Sequence, residues 1–582
     1  VSRDGSVDWL CLPVFDSPSI FNRLLDRFRG GYLRVAPAGA DARVLSRRYV
    51  ERTAVLETVV GGGGGRARVL HFMPALSESD KRGWLLPHWS LLTLVDGLDG
   101  EVRFSVTMRP RPKDAQARAG LQARGERAAV CEAHGGLLRL DCSAPVSVRE
   151  DRADCELVVR AGERACVWLS HTPGPAVEPA LKQAPLLLQR TLDYWRTWSG
   201  RCRYAGPERA AVVRSALALK LLSFSPSGAI VASPTMGLPE RVGGVRNWDY
   251  RYCWLRDSAY AAGAFYRLGY RQEADAFVEW LMYATTLTHP GLRVFYDLFG
   301  RPRQKERTLR LDGYRGSAPV RRGNRASEQK QLDVYGEVME ALALYHAHGG
   351  RVDRAMRGFV RGIGDFVAEH WDLPDHGIWE PRRPPRQYVH SKIMCWHALE
   401  QAIRLARRLD MRGDAGRWEC CARSVKDAVL TAGWSARLRS FRQTFEEDAL
   451  DAAVLLLPGT GLLPAGDERV LDTIRAVERR LGCGDGLVRR YDSDDGLPNG
   501  EGAFVACSFW LVEALALSGR REQAEGLFAR LARLGGEHGL LSEEADCETG
   551  AALGNYPQAL SHLAQVDAGC ALEGTLMDGL ED

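Results

Sequence analysis

The strongest constraint on how this chain folds is the spacing of its apolar residues after Gly206. They recur at three and four along twelve segments, approximately 207–223, 257–269, 271–287, 329–348, 352–371, 391–409, 413–433, 447–457, 468–481, 503–518, 520–535 and 555–573. That is the period of one helix face, as in Val334, Val338, Leu342 and Tyr345. No repeat of fixed length accompanies it, which argues against a solenoid of identical units. Short links alternate with long ones, at 224–256, 288–328, 372–390, 482–502 and 536–554. Irregular loops this long in a compact domain usually carry function. Twelve helices joined in this way suit a closed barrel of six helix pairs, an (α/α)6 barrel over 207–582, with the long loops at one end.

Residues 1–178 have a different period. Tyr49–Val60 and Arg66–Leu76 are strand-like runs joined through Gly61–Gly65, and Leu91–Leu98 leads through Asp99-Gly100 into Glu101–Met108. Val130–Ala133, Leu137–Cys142, Cys155–Val159 and Ala165–Ser170 continue the series. Many short strands with turn signals predict an antiparallel β-sandwich, with the opening residues 4–13 as a hairpin in the same sheet. Residues 179–206, with a helix over Ala180–Ser199, read as a linker. At 582 residues the chain exceeds the roughly 250–300 that one core accommodates, so two domains are expected.

Charge and composition narrow the function. Seventy-eight basic and 74 acidic residues leave a net charge of +4, with no basic block, so nucleic acid is not an expected partner. No apolar run approaches the roughly 18 residues of a membrane span. The 14 cysteines include no C-x-x-C pair and read mostly as buried thiols, which points to a reducing, cytoplasmic setting. No metal-ligand or cofactor motif is found, and none is expected to be needed.

The long loops hold the unusual residues. In Asp375–Lys392, Glu380 follows Ile378 and Trp379, an apolar context that raises a carboxyl pKa toward that of a general acid. An isolated Trp-Glu pair is more often a surface Glu beside a core Trp, and only its context favours the catalytic reading. Loop 224–256 ends in an aromatic run, Trp248, Tyr250, Tyr252 and Trp254 at every second position, followed by Arg256 and Asp257. Such a face stacks on sugar rings or packs a core, and Asp257 alone fits a helix first turn. Loop 482–502 carries Arg490-Tyr491 and the acidic run Asp492–Asp495, while 536–554 carries Glu543 and Glu544. If the barrel closes, Glu380, Glu543, Arg256, Asp257 and Arg490 surround one mouth. Two carboxylates across a pocket with aromatics are what a glycosidase requires. No Gly-x-Ser-x-Gly elbow supports serine chemistry.

Val1–Pro13, Asn247–Ser258, Gln331–Val338, Gly377–Glu380, Ser391–Trp396 and Leu540–His562 together resemble bacterial glycoside hydrolase family 15, which contains glucoamylases, related α-glucosidases and a trehalase branch. The resemblance runs nearly end to end. It implies a β-sandwich followed by a catalytic (α/α)6 barrel, and hydrolysis with inversion. By position it implies Glu380 as general acid and Glu543 as general base. Arg256 and Asp257 would grip the non-reducing glucose, Tyr250 and Trp254 line its subsite, and Arg490 match the Arg-Tyr loop. Trp379 and Lys392, inside matching runs, are counted with the substrate-binding residues. Departures occur at His71, Met236, Gly237, Gln387, Tyr388, Val389 and His397, and at Pro112–Ala115, several on loops expected to shape the leaving-group side. The first expectation is an exo-acting glucoamylase-type enzyme acting on small oligosaccharides, as a monomer or an oligomer. A trehalase comes next, then a phosphorylase or an inactive sugar-binding protein.

Overall fold

The computed structural model describes residues 1–578 except 84, 85, 88, 175–177, 303, 412–414 and 499. It divides into two compact units: Val1–Arg201 with Leu309–Val320, and Cys202–Thr308 with Arg321–Asp582.

The first unit is a sandwich of two antiparallel sheets. One has five strands, in the order Ser6–Val7, Tyr32–Pro37, Glu101–Arg109, Arg152–Arg160, Val146–Arg149. The other has eight, from Gln122–Ala123 through Ala128–Ala133, Gly136–Cys142, Arg164–Thr172, Trp89–Asp99, Gly65–Phe72 and Leu56–Gly62 to Arg43–Tyr49. Alternation along Glu101–Arg109 sends Val102, Phe104, Val106 and Met108 into the core, where they meet Val69, Val95, Leu138, Leu140 and Val167 of the facing sheet. The hairpin at Gly62–Gly65 turns on Gly63 and Gly64, both at positive φ, which glycine adopts without steric cost. The opening residues are split between two pairings. Ser6–Val7 joins the five-stranded sheet, while Leu10–Cys11 pairs separately with Ser19–Phe21.

A short helix, α1 (Glu78–Arg82), and a longer one, α2 (Ala184–Ser199), belong to this unit. The expected linker is therefore packed structure. Ala184, Leu187 and Leu188 of α2 bury against Leu70, Leu92, Leu94 and Trp168 on the outer face of the eight-stranded sheet. Residues Leu309–Val320 of the loop 288–328 also belong here, with Asp312 accepting from Arg29 at 2.9 Å.

The second unit contains the expected helices: α3 (Arg209–Leu222), α4 (Leu255–Leu268), α5 (Arg271–Ala284), α6 (Val334–Ala347), α7 (Arg354–His370), α8 (Val389–Arg408), α9 (Ala415–Thr431), α10 (Leu457–Thr460), α11 (Glu468–Arg480), α12 (Val505–Leu517), α13 (Arg521–Ala532) and α14 (Ala559–Glu573). Contacts run α4 to α6, α6 to α8, α8 to α10, α10 to α12, α12 to α14 and α14 back to α4. This closed inner ring, with the other six helices outside it, is an (α/α)6 barrel. Inner helices are buried on most faces, as along Val505–Leu515 of α12, whereas α11 buries one stripe.

The eighth segment is shorter than its pattern suggests. Residues Ala452–Leu456 form a 3₁₀ turn that passes into the four-residue α10 at Leu457. Asp451, extended and bridged to Tyr491, caps the turn by accepting from Ala453 N–H at 2.8 Å and so delays its start, while Gly461 ends it at positive φ. Among the described residues no helix is long and apolar enough to cross a membrane.

Most cysteines are buried thiols, as expected, while Cys483 and Cys547 form a disulfide across 64 residues that the spacing does not reveal. It joins the loop that carries Arg490 to the loop that carries Glu543. Closing a loop of this length constrains the unfolded chain by on the order of 4 kcal/mol in the entropic account. A Cys483→Ser/Cys547→Ser double variant is therefore expected to unfold at lower urea concentration than the parent under non-reducing conditions. The two proteins should converge once a reductant is added.

Candidate active site

Loops that lead into the inner helices place the site residues at one end of the barrel. Arg256 and Asp257 lie in the first turn of α4, where a carboxylate complements the helix N-terminus. Glu380 stands in a loop closed at its base by the bridge between Asp375 and Arg386. Glu543 adjoins a three-stranded sheet of Ala503–Phe504, Glu544–Ala545 and Ala552–Leu553. Its backbone carbonyl accepts from Val505 at 3.0 Å and its N–H donates to Asn555 at 3.1 Å.

Two cavities share Tyr250, Trp379, Glu380 and Arg490. The inner one, about 380 Å³, is also lined by Ala232, Trp254, Arg256, Asp257, Phe504 and Gln558. The outer one, about 440 Å³, adds Glu240, Arg246, Trp248, Arg382, Tyr491 and Asp495. Of the four alternating aromatics, Trp248, Tyr250 and Trp254 line these cavities. Tyr252 does not: it is buried in a core cluster, stacked on Phe295 at 5.4 Å. The extended run breaks after Asp249 and resumes at Cys253, so a simple every-second-residue face is not formed.

The environment of Glu380 differs from the one its sequence neighbours suggest. The Trp379 indole turns away and donates to Asp451 Oδ1 at 2.8 Å. The Glu380 carboxyl instead meets polar groups on Oε1, from Trp254 Nε1 at 2.6 Å and Gln331 Nε2 at 3.2 Å, with Arg256 Nη2 at 3.7 Å. Its Oε2 takes no hydrogen bond from the described residues. The backbone at Glu380 is left-handed, φ 57°, a conformation that costs a non-glycine residue about 1–3 kcal/mol and persists where its surroundings impose it. Gln329 Nε2 helps to impose it, donating to the carbonyls of Glu380 and Pro381 at 3.3 and 3.2 Å.

Glu543 is buried, and its Oε2 accepts from the Asn555 N–H at 3.0 Å. Its Oε1 has no well-aligned partner among the described residues, although the Tyr250 hydroxyl is close enough to favour the anion. Burial raises the Glu543 pKa, the nearby charge of Glu240 raises it further, and Arg490 works against both. The carboxylates of Glu543 and Glu380 both push up the Tyr250 phenol, after burial itself. A single hydroxyl therefore feels both acids. Glu544, the neighbouring acid, is placed differently: its Oε2 accepts from Gly502 N–H at 2.8 Å and its Oε1 faces Arg490 at 3.3 Å.

The inner cavity has polar atoms ready for hydroxyl groups. Arg256 Nε, Asp257 Oδ2 and Gln558 Oε1 are buried without a hydrogen-bond partner among the described residues. The Arg256–Asp257 ion pair, at 3.5 Å, is too long to satisfy either atom. Burial pushes the Asp257 carboxyl up to about 6 against the opposing pull of Arg256.

Behind both cavities lies a network that the sequence does not reveal. Arg490 Nη2 meets Glu240 Oε2 at 3.0 Å and Glu544 Oε1 at 3.3 Å and pairs closely with Glu501, whose Oε1 also accepts from Nε at 2.9 Å. Arg246 adds a two-pronged contact with Asp495 at 2.6 and 2.9 Å. Glu240, Glu501 and Glu544 converge as metal ligands do, but the Arg490 guanidinium already supplies the cation at their centre. These partners lie up to 250 positions apart, so no local pattern betrays them.

Lys392 is fully buried and lines neither cavity. Its Nζ donates to the Leu373 carbonyl at 2.7 Å beside Asp375, bracing the base of the Glu380 loop. Nor do His71, Met236, Gly237, Gln387, Tyr388, Val389 and His397 line the cavities. His71, for example, bonds Thr93 inside the β-sandwich, and His397 pairs with Glu340 at 3.2 Å.

Residues 206–570 match the model of glycosyl hydrolases family 15, and residues 1–138 match a trehalase-like N-terminal domain. The chain belongs to glycosyl hydrolase family 15. It is 35% identical to a trehalase of Thermoplasma acidophilum over 574 residues, 98% of each chain. It is equally similar, 35% over 595 residues, to the trehalase of Mycolicibacterium smegmatis, covering 98% of this chain and 88% of that one. A bacterial glucoamylase crystallised with acarbose shares the fold, with a TM-score of 0.74 at 13% identity over 99% of this chain and 92% of that one. This family 15 chain is therefore a glycoside hydrolase with the sandwich-plus-barrel architecture.

The buried network generates a stability prediction. Arg490→Met removes the cation shared by the buried Glu240 and Glu544 and the partly buried Glu501, leaving Arg246 3.8 Å from Glu240 and 3.3 Å from Glu501. Breaking a buried pair typically costs about 3–5 kcal/mol. Urea unfolding is expected to show a loss of that order. A loss within about 0.5 kcal/mol, typical of surface substitutions, would mean that the carboxylates are not held by this guanidinium.

Proposed function

We propose that this family 15 enzyme hydrolyses α,α-trehalose, with Glu380 as general acid and Glu543 as general base. The carrying observation is the two-lobed site: cavities of about 380 and 440 Å³ that share Glu380, Tyr250, Trp379 and Arg490. The lobes meet at Glu380, so a disaccharide can place one ring in each with its bridging oxygen beside that carboxyl. From sequence alone glucoamylase-type activity ranks first. End-to-end likeness to two trehalases reverses that order, because the glucoamylase likeness at 13% identity speaks for the fold alone.

In this reading one glucose occupies the inner cavity, its hydroxyls taken by Arg256, Asp257 and Gln558. The glycosidic oxygen lies at the junction of the lobes, where Glu380 protonates it from the oxygen that protein donors leave free. Glu543, through its unpartnered Oε1, takes a proton from the water that attacks the anomeric carbon from the opposite side. The C1–O bond breaks as the C1–water bond forms, and the leaving glucose departs from the outer cavity with its own anomeric configuration untouched. Arg490 and the Tyr250 hydroxyl, shared by the two lobes, favour the anionic form of Glu543 against its burial.

Incubation with trehalose, maltose, isomaltose and maltotriose, with and without phosphate, tests the proposal. Glucose release fastest from trehalose and independent of phosphate is expected. Preference for maltotriose restores the glucoamylase reading, and phosphate dependence with glucose 1-phosphate formation indicates a phosphorylase. Glu380→Gln and Glu543→Gln should each lower kcat by about 10²–10⁴-fold while remaining folded, since an amide cannot transfer the proton.

The base also fixes the sign of the pH dependence. Glu543 works as an anion, and its pKa lies above the ordinary Glu value of about 4.3, so kcat/KM should fall on acidification at a higher pH than an unperturbed carboxylate would give. Glu240→Gln removes one neighbouring negative charge and should move that acid limb to lower pH. An acid limb that stays in place would remove Glu240 from the causes of the shift.

A further inference from the structure

Trp248 forms a wall of the outer cavity, and its ring is clamped. The indole N–H donates to Glu240 Oε1 at 2.7 Å, which fixes the ring's orientation. Two guanidinium carbons lie over the ring, Arg321 at 4.8 Å and Arg382 at 4.9 Å from its centroid. Like charges this close need a counter-ion, and Glu306 provides it. Its Oε2 accepts from Arg382 Nη2 at 2.8 Å, and its Oε1 lies 3.5 Å from Arg321 Nε. Arg321 is further committed to the Val245 carbonyl, through Nη1 at 2.7 Å.

Arg382 differs from Arg321 in what remains available. It lines the outer cavity and stands two residues after Glu380 on the same turn. Apart from the bond to Glu306, its N–H groups have no protein acceptor among the described residues. A planar, pre-oriented fork of donors beside the proton donor suits a pair of adjacent hydroxyls. Stacking on Trp248 and pairing with Glu306 hold the fork in place, so little side-chain entropy is lost when a sugar binds.

Resting on the trehalose reading, we propose that Arg382 is the specificity-determining residue for the leaving glucose. Trp248, Arg321 and Glu306 act as positioning residues that hold it. Arg382 hydrogen-bonds hydroxyls of the second ring and thereby favours a fully hydroxylated leaving group over one that cannot use the outer cavity. The bond-breaking chemistry in the inner cavity does not require it.

The test compares two substrates that share the inner glucose. Trehalose fills both lobes, whereas α-glucosyl fluoride has no leaving sugar, and its hydrolysis is followed by fluoride release. Arg382→Ala is expected to lower kcat/KM for trehalose about 10- to 100-fold, mainly through KM, as loss of charged hydrogen bonds predicts. On α-glucosyl fluoride the same variant should stay within about threefold of the parent, since unchanged inner-cavity contacts leave that transition state alone. Arg382→Lys should recover only part of the loss, because an ammonium is not a planar fork. Calorimetric titration with 1-deoxynojirimycin, a single-ring glucose mimic, reports the inner cavity independently and should be unchanged in each variant. Equal losses on both substrates, or weakened binding of the mimic, would assign Arg382 a merely structural role and overturn the proposal. An unchanged trehalose KM would overturn it too. If the parent enzyme cleaves maltose and not trehalose, the trehalose reading fails by itself. The same split measured with maltose against the fluoride then decides the role of Arg382.

Discussion

The site depends on one guanidinium. Arg490 sits where loops that begin far apart in the chain meet, and it holds Glu240, Glu501 and Glu544 within about one hydrogen-bond length of itself. Three carboxylates taken out of water repel one another and are each costly to ionise, so their burial is tolerable only around a cation. Arg490 is in turn packed over Phe504, its carbon 5.1 Å from the ring centroid. The loops that carry the proposed base, the outer-cavity wall and the Arg-Tyr run are thereby fixed to one another. The Cys483–Cys547 bond fastens two of them a second time.

That arrangement also sets the electrostatics of the two proposed catalytic acids. Glu543 lies deep, near Glu240, and its charge is disfavoured by burial and by that neighbour. Glu380 lies at the junction of the cavities, held by Trp254, Gln331 and Arg256 on a single oxygen. Two carboxyls of the same chemical type are thus given different surroundings, one buried beside Glu240 and the other held by donors at the cavity junction. Tyr250 feels both and lines both cavities, which makes it the physical link between them.

Much of this is legible in the sequence, for reasons of period. Helix faces repeat at three and four and strand faces at two, so the twelve barrel helices and most sandwich strands can be read locally. The eighth segment turns helical only from Ala452, because Asp451 is extended and bridged to Tyr491, a contact that apolar spacing does not reveal. The expected linker is read as such because its apolar stripe does not say which sheet it covers. Glu380, Glu543, Arg256, Asp257 and Arg490 come from the family resemblance together with their place on long loops. Lys392, drawn in by the same resemblance, braces a loop from beneath. Glu240, Arg246, Glu501 and Asp495 give no local signal, since an isolated charge in a loop looks alike whether solvated or buried. The Cys483–Cys547 pairing is hidden for the same reason: contact across 64 residues leaves no trace in spacing.

In the proposed mechanism Glu380 and Glu543 act on opposite sides of one anomeric carbon, with water as nucleophile. Proton NMR of the first turnovers on α,α-trehalose tests it most directly, before the sugars mutarotate. Inversion at one ring and retention at the departing ring should give α- and β-glucose in equal amounts. Release of α-glucose alone would mean a retaining reaction through a covalent intermediate, and the assignment of Glu543 as a base acting on water would be wrong.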